Sequence, residues 1–307
     1  MSVGPRTLLL SLLSACAASP APREGGGSGD EADGRSLGSG AHTLRHGGRA
    51  RDYRLHVPTG LPPGAPLLLA FHGYSSNAAT LQGYAGLDAI ADREGFVVAY
   101  PLGTVDDWGN RYFEVGYAFH DGSVDDVGFA RALAGELVDA LGLDPSAVYA
   151  TGMSNGGDIS YKLACEADDV FSGIAPVAGS MMGQLLDTCS PQRPVPVLEI
   201  HGTDDDVTLW DGDPDDVGGW GAYPGTEDML TFWTDAHGAT EYTEEDLPDL
   251  APRDGSTVRA RRWSGDGPDA RVWLYEVQGG GHDWPGAWGN ADIDAAEELW
   301  SFLAGAR

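Results

Sequence analysis

Positive charge is what this chain has least of. Lys and Arg number 18 against 47 Asp and Glu, giving a formal net charge of −29. No Lys/Arg-rich face is available for phosphate, which excludes a nucleic-acid binder. The acid excess reads as a solvated, self-repelling surface. Cysteine is scarce too, with 3 in the chain. There is no Cys-x-x-Cys and no paired histidines, so no metal site or cofactor is expected. The aspartates of 204–216 make a dense acidic run. It lacks the glycine at the sixth position and the glutamate at the twelfth that an EF-hand loop needs for calcium. Internal repeats are absent. What is present is a chain of 307 residues, 42% hydrophobic with 9 tryptophans, enough for one domain with a sizeable core.

Long apolar runs are also missing. Leu8-Leu9-Leu10-Ser11-Leu12-Leu13, preceded by Arg6, is too short to span a bilayer and reads as a targeting signal. Leu13-Ser14-Ala15-Cys16 resembles the bacterial lipobox. That resemblance implies a signal peptide over 1–15, lipidation of Cys16, export, and anchoring to the bacterial membrane or cell surface. Residues 16–40, rich in Gly, Ser and acid, read as a flexible tether of roughly 25–30 Å reach. The folded domain is expected over 41–307. With Cys16 carrying lipid, Cys165 and Cys189 remain as an even pair in an exported protein. A disulfide between them would close a loop of about 25 residues and contribute about 3 kcal/mol in the chain-entropy account.

Along that domain, segments near 42–45 and 51–57 flank His46-Gly47-Gly48 and predict a hairpin. Leu67–Phe71 is a continuous apolar run, as expected of a strand buried on both faces. Residues 77–94 read as one helix closed by Gly95. Phe96–Tyr100 is the next strand, followed by a loop over 101–124. An amphipathic helix over 125–141 carries Val127, Ala130, Leu133, Leu137, Val138 and Leu141 at helical spacing. Strands follow at 148–151, 173–177, 195–200, 258–263 and 272–277, with helices at 158–164, 226–237 and 291–304. This alternation predicts an α/β fold: a mostly parallel twisted sheet with helices on both faces.

In such a sheet, ligands bind outside the carboxyl ends of the strands. Three strand ends carry suitable chemistry. Gly152-Met153-Ser154-Asn155-Gly156 is a G-x-S-x-G turn between strand and helix, which exposes a serine hydroxyl. Asp204-Asp205-Asp206 follows a later strand, and Gly279-Gly280-Gly281-His282 follows the last. The order Ser, acid, His is that of the α/β-hydrolases. A serine is a weak nucleophile until a base takes its proton, so His282 is the candidate base. A buried carboxylate would orient it. Asp205 is the choice, with Asp204 and Asp206 as alternatives. The backbone N–H groups of Asn155 and Tyr74 are the expected oxyanion donors. His72 and His201 read as loop-shaping residues. Trp108, Tyr112, Trp210 and Trp284 are candidates for lining a substrate pocket.

Four segments together resemble the polyhydroxybutyrate depolymerase and feruloyl esterase family of secreted esterases. They are Phe71-His72-Gly73-Tyr74-Ser75-Ser76-Asn77-Ala78, Thr151–Gly157, His201-Gly202-Thr203-Asp204-Asp205 and Gly279–Gly286. Val124–Phe129 and Ile174–Gly179 are similar as well. The resemblance covers about 50–304 and implies an α/β-hydrolase with Ser154, Asp205 and His282 as its triad and no cofactor. The family's tryptophan-asparagine-alanine-glycine stretch is replaced here by Trp108-Gly109-Asn110-Arg111-Tyr112-Phe113. Residues 206–224 read as an acidic insertion, and the family's cysteines near Gly238 and Gly265 are absent. The implied substrates are feruloyl or acetyl esters, including esterified polysaccharide, or hydroxyalkanoate oligomers. A prolyl-oligopeptidase-type peptidase and a non-catalytic binding lipoprotein are the competing readings, and acyl transfer to an alcohol uses the same residues.

Overall fold

The computed structural model describes residues 37–305. The signal segment, Cys16 and the tether up to residue 36 lie outside the described residues. Residues 37–40, assigned above to the tether, belong instead to the fold. Leu37 packs on the core, and Ser39 Oγ donates to Val57 O and accepts from Val57 N–H.

The first half runs β1 (Gly40–His46), β2 (Arg49–His56), β3 (Leu67–Phe71), α1 (Ala78–Tyr84), α2 (Leu87–Glu94) and β4 (Val97–Pro101). Then come β5 (Thr104–Val105), β6 (Arg111–Tyr112), α3 (Asp126–Leu141), β7 (Val148–Met153) and α4 (Asn155–Glu166). The second half runs β8 (Ile174–Val177), α5 (Leu185–Thr188), β9 (Val197–Gly202) and α6 (Thr226–His237). It closes with β10 (Glu241–Asp246), β11 (Thr257–Ser264), β12 (Arg271–Gln278) and α7 (Ala295–Ala304).

Ten strands form one sheet in the order β1-β2-β4-β3-β7-β8-β9-β12-β11-β10. The six central strands from β4 to β12 are parallel, and the outer pairs on each side are antiparallel. Five of the six central strands, β4, β3, β7, β8 and β9, are buried along their whole length because helices cover both faces. In β3, Leu67, Leu69 and Phe71 enter one core with Phe129 and Leu133 of α3, Ile159 of α4 and Trp233 of α6. Leu68 and Ala70 enter the other with Leu81 of α1, Ile90 of α2 and Leu299 of α7. Among the described residues no helix is long and apolar enough to cross a membrane.

Two expectations are corrected. The single helix over 77–94 is broken into α1 and α2 at Gly86, whose φ of 73° is left-handed and starts a new N-terminus. Gly95 does close α2, its N–H reaching Ala91 O. β10 was not expected, because all six of its residues are exposed and no apolar alternation marks it. Cys165, at the end of α4, is joined by a disulfide to Cys189, which ends α5 (Cα–Cα 4.9 Å).

Candidate active site

Ser154 stands between β7 and α4 at φ 57° and ψ −122°, a conformation that L residues hold only where the surroundings enforce it. Its N–H is fixed to Val177 O of β8 at 2.9 Å. Its side chain makes no capping bond to α4, so an ordinary N-cap role does not describe it. The turn is tight because the flanking glycines let it be. A Cβ on Gly156 would lie 1.9 Å from Phe71 O, and one on Gly152 2.4 Å from the same atom.

His282, in the loop after β12, directs Nδ1 to Asp205 Oδ2 at 2.8 Å. Asp205 Oδ1 accepts the N–H groups of Val207 and Thr208 at 2.8 and 2.9 Å. The Asp205 side chain is fully buried, whereas the His282 ring is partly open. With Nδ1–H committed to the carboxylate, Nε2 of His282 is the basic nitrogen left over. Ser154 and His282 line one cavity of about 280 Å³. Among the described residues no hydrogen bond joins Ser154 Oγ to the ring. Asp204 is not the partner of His282, and its backbone N–H donates to Gly280 O.

Behind Asp205 lies a buried pair: His201, expected to shape a loop, stands instead inside β9 with Glu199, which sequence reasoning did not single out. His201 Nδ1 meets Glu199 Oε1 at 2.9 Å, its Nε2 meets Thr208 O at 2.8 Å, and Nε2 lies 3.5 Å from Asp205 Oδ2. Burial pushes this imidazole down, but the bond and charge of Glu199 and the charge of Asp205 outweigh it and hold the ring above its ordinary value. Burial raises Glu199, against the pull of His201. The signal that could have found this pair is a charged residue inside an apolar strand, Val197-Leu198-Glu199-Ile200.

The loop after β3 packs on the turn, with Gly73 Cα so placed that a Cβ would lie 3.3 Å from Met153 O. His72 donates from Nδ1 to Gly73 O and accepts Gly103 N–H at Nε2 (2.8 and 3.0 Å). Burial brings its pKa down to about 4, so it is a neutral loop-shaping residue. The Asn155 amide clasps Phe113 through both its N–H and its carbonyl (2.7 and 3.0 Å). Tyr74 turns its hydroxyl to Asp106 at 2.5 Å. Among the described residues no backbone carbonyl takes the N–H of Tyr74 or Asn155.

The cavity is walled by Tyr74, Tyr117, Met182, Val207, Trp220 and Tyr223 beside Ser154 and His282, with Asp158 among them. This corrects the expected pocket residues. Trp284 is 1% exposed and sits in the α7-side core against Tyr84. Trp108 is 64% exposed and, with Tyr112, borders a separate polar hollow beside His120. Trp210 packs edge-on against His201. Nearness in sequence to a reactive residue does not say where a ring points. Met182, Trp220 and Tyr223 come from loops whose path no periodicity reports. The acidic run is used on its own backbone. Asp213 accepts from Val217 and Gly218 N–H, and Asp216 from Gly221 N–H. Among the described residues no cluster of three His, Cys, Asp or Glu is arranged for a metal.

Sheet order and helix layers are those of the α/β-hydrolases. Within that fold the chain belongs to the Esterase PHB depolymerase family, whose profile matches residues 52–232. It is a serine carboxylic ester hydrolase, as its relatives' names agree. It is 35% identical over 250 residues to "Putative esterase NocK" of Nocardia uniformis subsp. tsuyamanensis, spanning 78% of this chain and 72% of that protein. It is 28% identical to Feruloyl esterase B of Piromyces equi (71% of this chain, 39% of the relative). It is 32% identical to Poly(3-hydroxyalkanoate) depolymerase C of Paucimonas lemoignei (61% and 43%). The chain thus spans under half the length of these last two relatives. The solved acetyl xylan esterase from Aspergillus awamori shares the fold, with a TM-score of 0.60 at 14% identity over 87% of this chain and 99% of that one.

Proposed function

We propose that this is an exported, lipid-tethered esterase in which Ser154, His282 and Asp205 form an acyl-transferring triad. One observation carries the reading. Ser154, on its strained turn, faces the same cavity as His282, whose other ring nitrogen is held by buried Asp205. In the first half-reaction His282 Nε2 takes the Ser154 proton as Oγ attacks the ester carbonyl. The N–H groups of Asn155 and Tyr74 receive the developing oxyanion, each contributing roughly 3–4 kcal/mol to the transition state. His282 returns the proton to the departing alcohol, leaving an acyl-Ser154. Water, deprotonated by the same nitrogen, then releases the acid.

The apolar and aromatic wall suits a small acyl group: feruloyl, acetyl or a hydroxyalkanoate unit. Feruloyl and hydroxyalkanoate esterases among the relatives support the same two classes. Export and anchoring through Cys16 complete the proposal and rest on Leu13-Ser14-Ala15-Cys16.

The test is turnover by the full chain of short p-nitrophenyl esters, methyl ferulate, a hydroxybutyrate oligomer and a prolyl peptide, beside Ser154→Ala. Ester turnover reduced about 10⁴-fold or more in the variant is expected. Turnover of the peptide alone would favour a peptidase. No turnover, or turnover indifferent to the substitution, would leave a binding lipoprotein.

A further inference from the structure

The mechanism leaves one buried acid of the cavity wall unused. Asp158 is 3% exposed and Tyr117 6%, yet both line the space that holds Ser154 and His282. Asp158 stands in the first turn of α4, which begins just after Ser154, and shares the cavity with it. Burying a carboxyl among apolar groups is costly unless it is hydrogen-bonded. Here Oδ1 accepts Ser180 N–H and Oδ2 accepts the Tyr117 hydroxyl, each at 2.8 Å. Those two bonds use one lone pair on each carboxyl oxygen and leave the carboxyl further acceptor capacity, while the Asn155 amide also lies against the phenol oxygen. The other tyrosines of the wall turn away: Tyr74 donates to Asp106, and the Tyr223 oxygen takes Leu209 N–H.

We propose that Asp158 and Tyr117 together form a polar reader in an otherwise apolar wall, selecting acyl groups that carry a neutral hydroxyl. The inference rests on the esterase reading of Ser154 and deepens it by naming what the acyl pocket recognises. A hydroxyl on the acyl chain donates to the Asp158–Tyr117 oxygens. An acyl group without one leaves those acceptors dry and unsatisfied. An acyl group bearing a carboxylate of its own brings no donor to these oxygens. Asp158 is pushed up to about 7 by burial, with the Glu199 charge adding to it, against the bonds from Ser180 and Tyr117. The hydroxyl can be phenolic, as on a hydroxycinnamoyl group, or aliphatic, as on a 3-hydroxyacyl group.

Two matched pairs separate these sources: methyl 4-hydroxycinnamate with methyl cinnamate, and methyl 3-hydroxybutyrate with methyl butyrate. For the full-length protein, kcat/KM favours the hydroxylated member of one pair by about tenfold or more, and that pair identifies the hydroxyl. The ratio falls toward one in Asp158→Asn and in Tyr117→Phe. A merely structural lesion lowers both members alike and leaves the ratio intact, and Tyr117→Phe serves if the Asp158 variant does not fold. Ester turnover with ratios near one in the unaltered protein, or ratios that survive both substitutions, overturns the reader and leaves the esterase standing. No ester turnover at all overturns the Ser154 reading, and the reader falls with it.

Discussion

Asp158 also bears on stability. Its pKa in the folded protein is about 7, raised from an ordinary 3.8 by burial foremost, with Ser180 N–H, the Tyr117 hydroxyl, Glu199 and His201 facing it. A carboxyl raised on folding binds its proton more tightly in the native state. Its contribution to stability is therefore complete below the unfolded value and is lost as pH rises through about 7. Asp158→Asn removes this dependence. The variant gains melting temperature relative to the unaltered protein on going from pH 5 to pH 8, as thermal unfolding at the two pH values will show. A constant difference would mean that Asp158 does not titrate there. None of this was legible in the chain, because an acid in the first turn of a helix reads as an ordinary partner of the helix dipole. Ser154, His282 and Asp205 were legible as candidates because glycines and strand ends surround them. Trp284 was misread because its ring turns into the core.

At the scale of the element, the turn before α4 depends on closeness of backbones. Gly156→Ala would force a Cβ within 1.9 Å of Phe71 O, a backbone atom of a central strand. It is expected to destabilise the fold by about 3 kcal/mol or to abolish folding, measured as the denaturant midpoint. Gly135 in α3 is the contrast, with nothing within 4 Å of its would-be Cβ. There Ala is expected to stabilise by about 0.5–1 kcal/mol. Opposite signs for the same chemical change would show that spacing, not glycine content, sets the elbow. The central strands were readable because burial on both faces leaves unbroken apolar runs, as in Leu67–Phe71. The α1–α2 break was not, since of the two glycines inside the helical pattern Gly83 stays helical and only Gly86 turns left-handed, and nothing in the sequence tells them apart. β10 was not, since a wholly exposed strand leaves no pattern.

For the whole molecule, the disulfide joins the end of α4, which begins at the Ser154 turn, to the segment leading into β9, which ends near Asp205. Replacing Cys165 and Cys189 together by Ser is expected to cost about 3 kcal/mol of unfolding free energy, measured by chemical denaturation under non-reducing conditions. A change within error would place the loop's order in its packing instead. The last consequence concerns the free edge of the ten-stranded sheet. β10 offers Glu241, Glu244, Glu245 and Asp246 along a strand exposed throughout. An open strand is a template on which another copy can extend the sheet, and ordered aggregates grow that way. Here Glu245 and Asp246 are paired with Arg262 and Arg259 of β11, and Glu241 and Glu244 still meet their like in a second copy. The edge that gives the sheet its width is thereby also its stop.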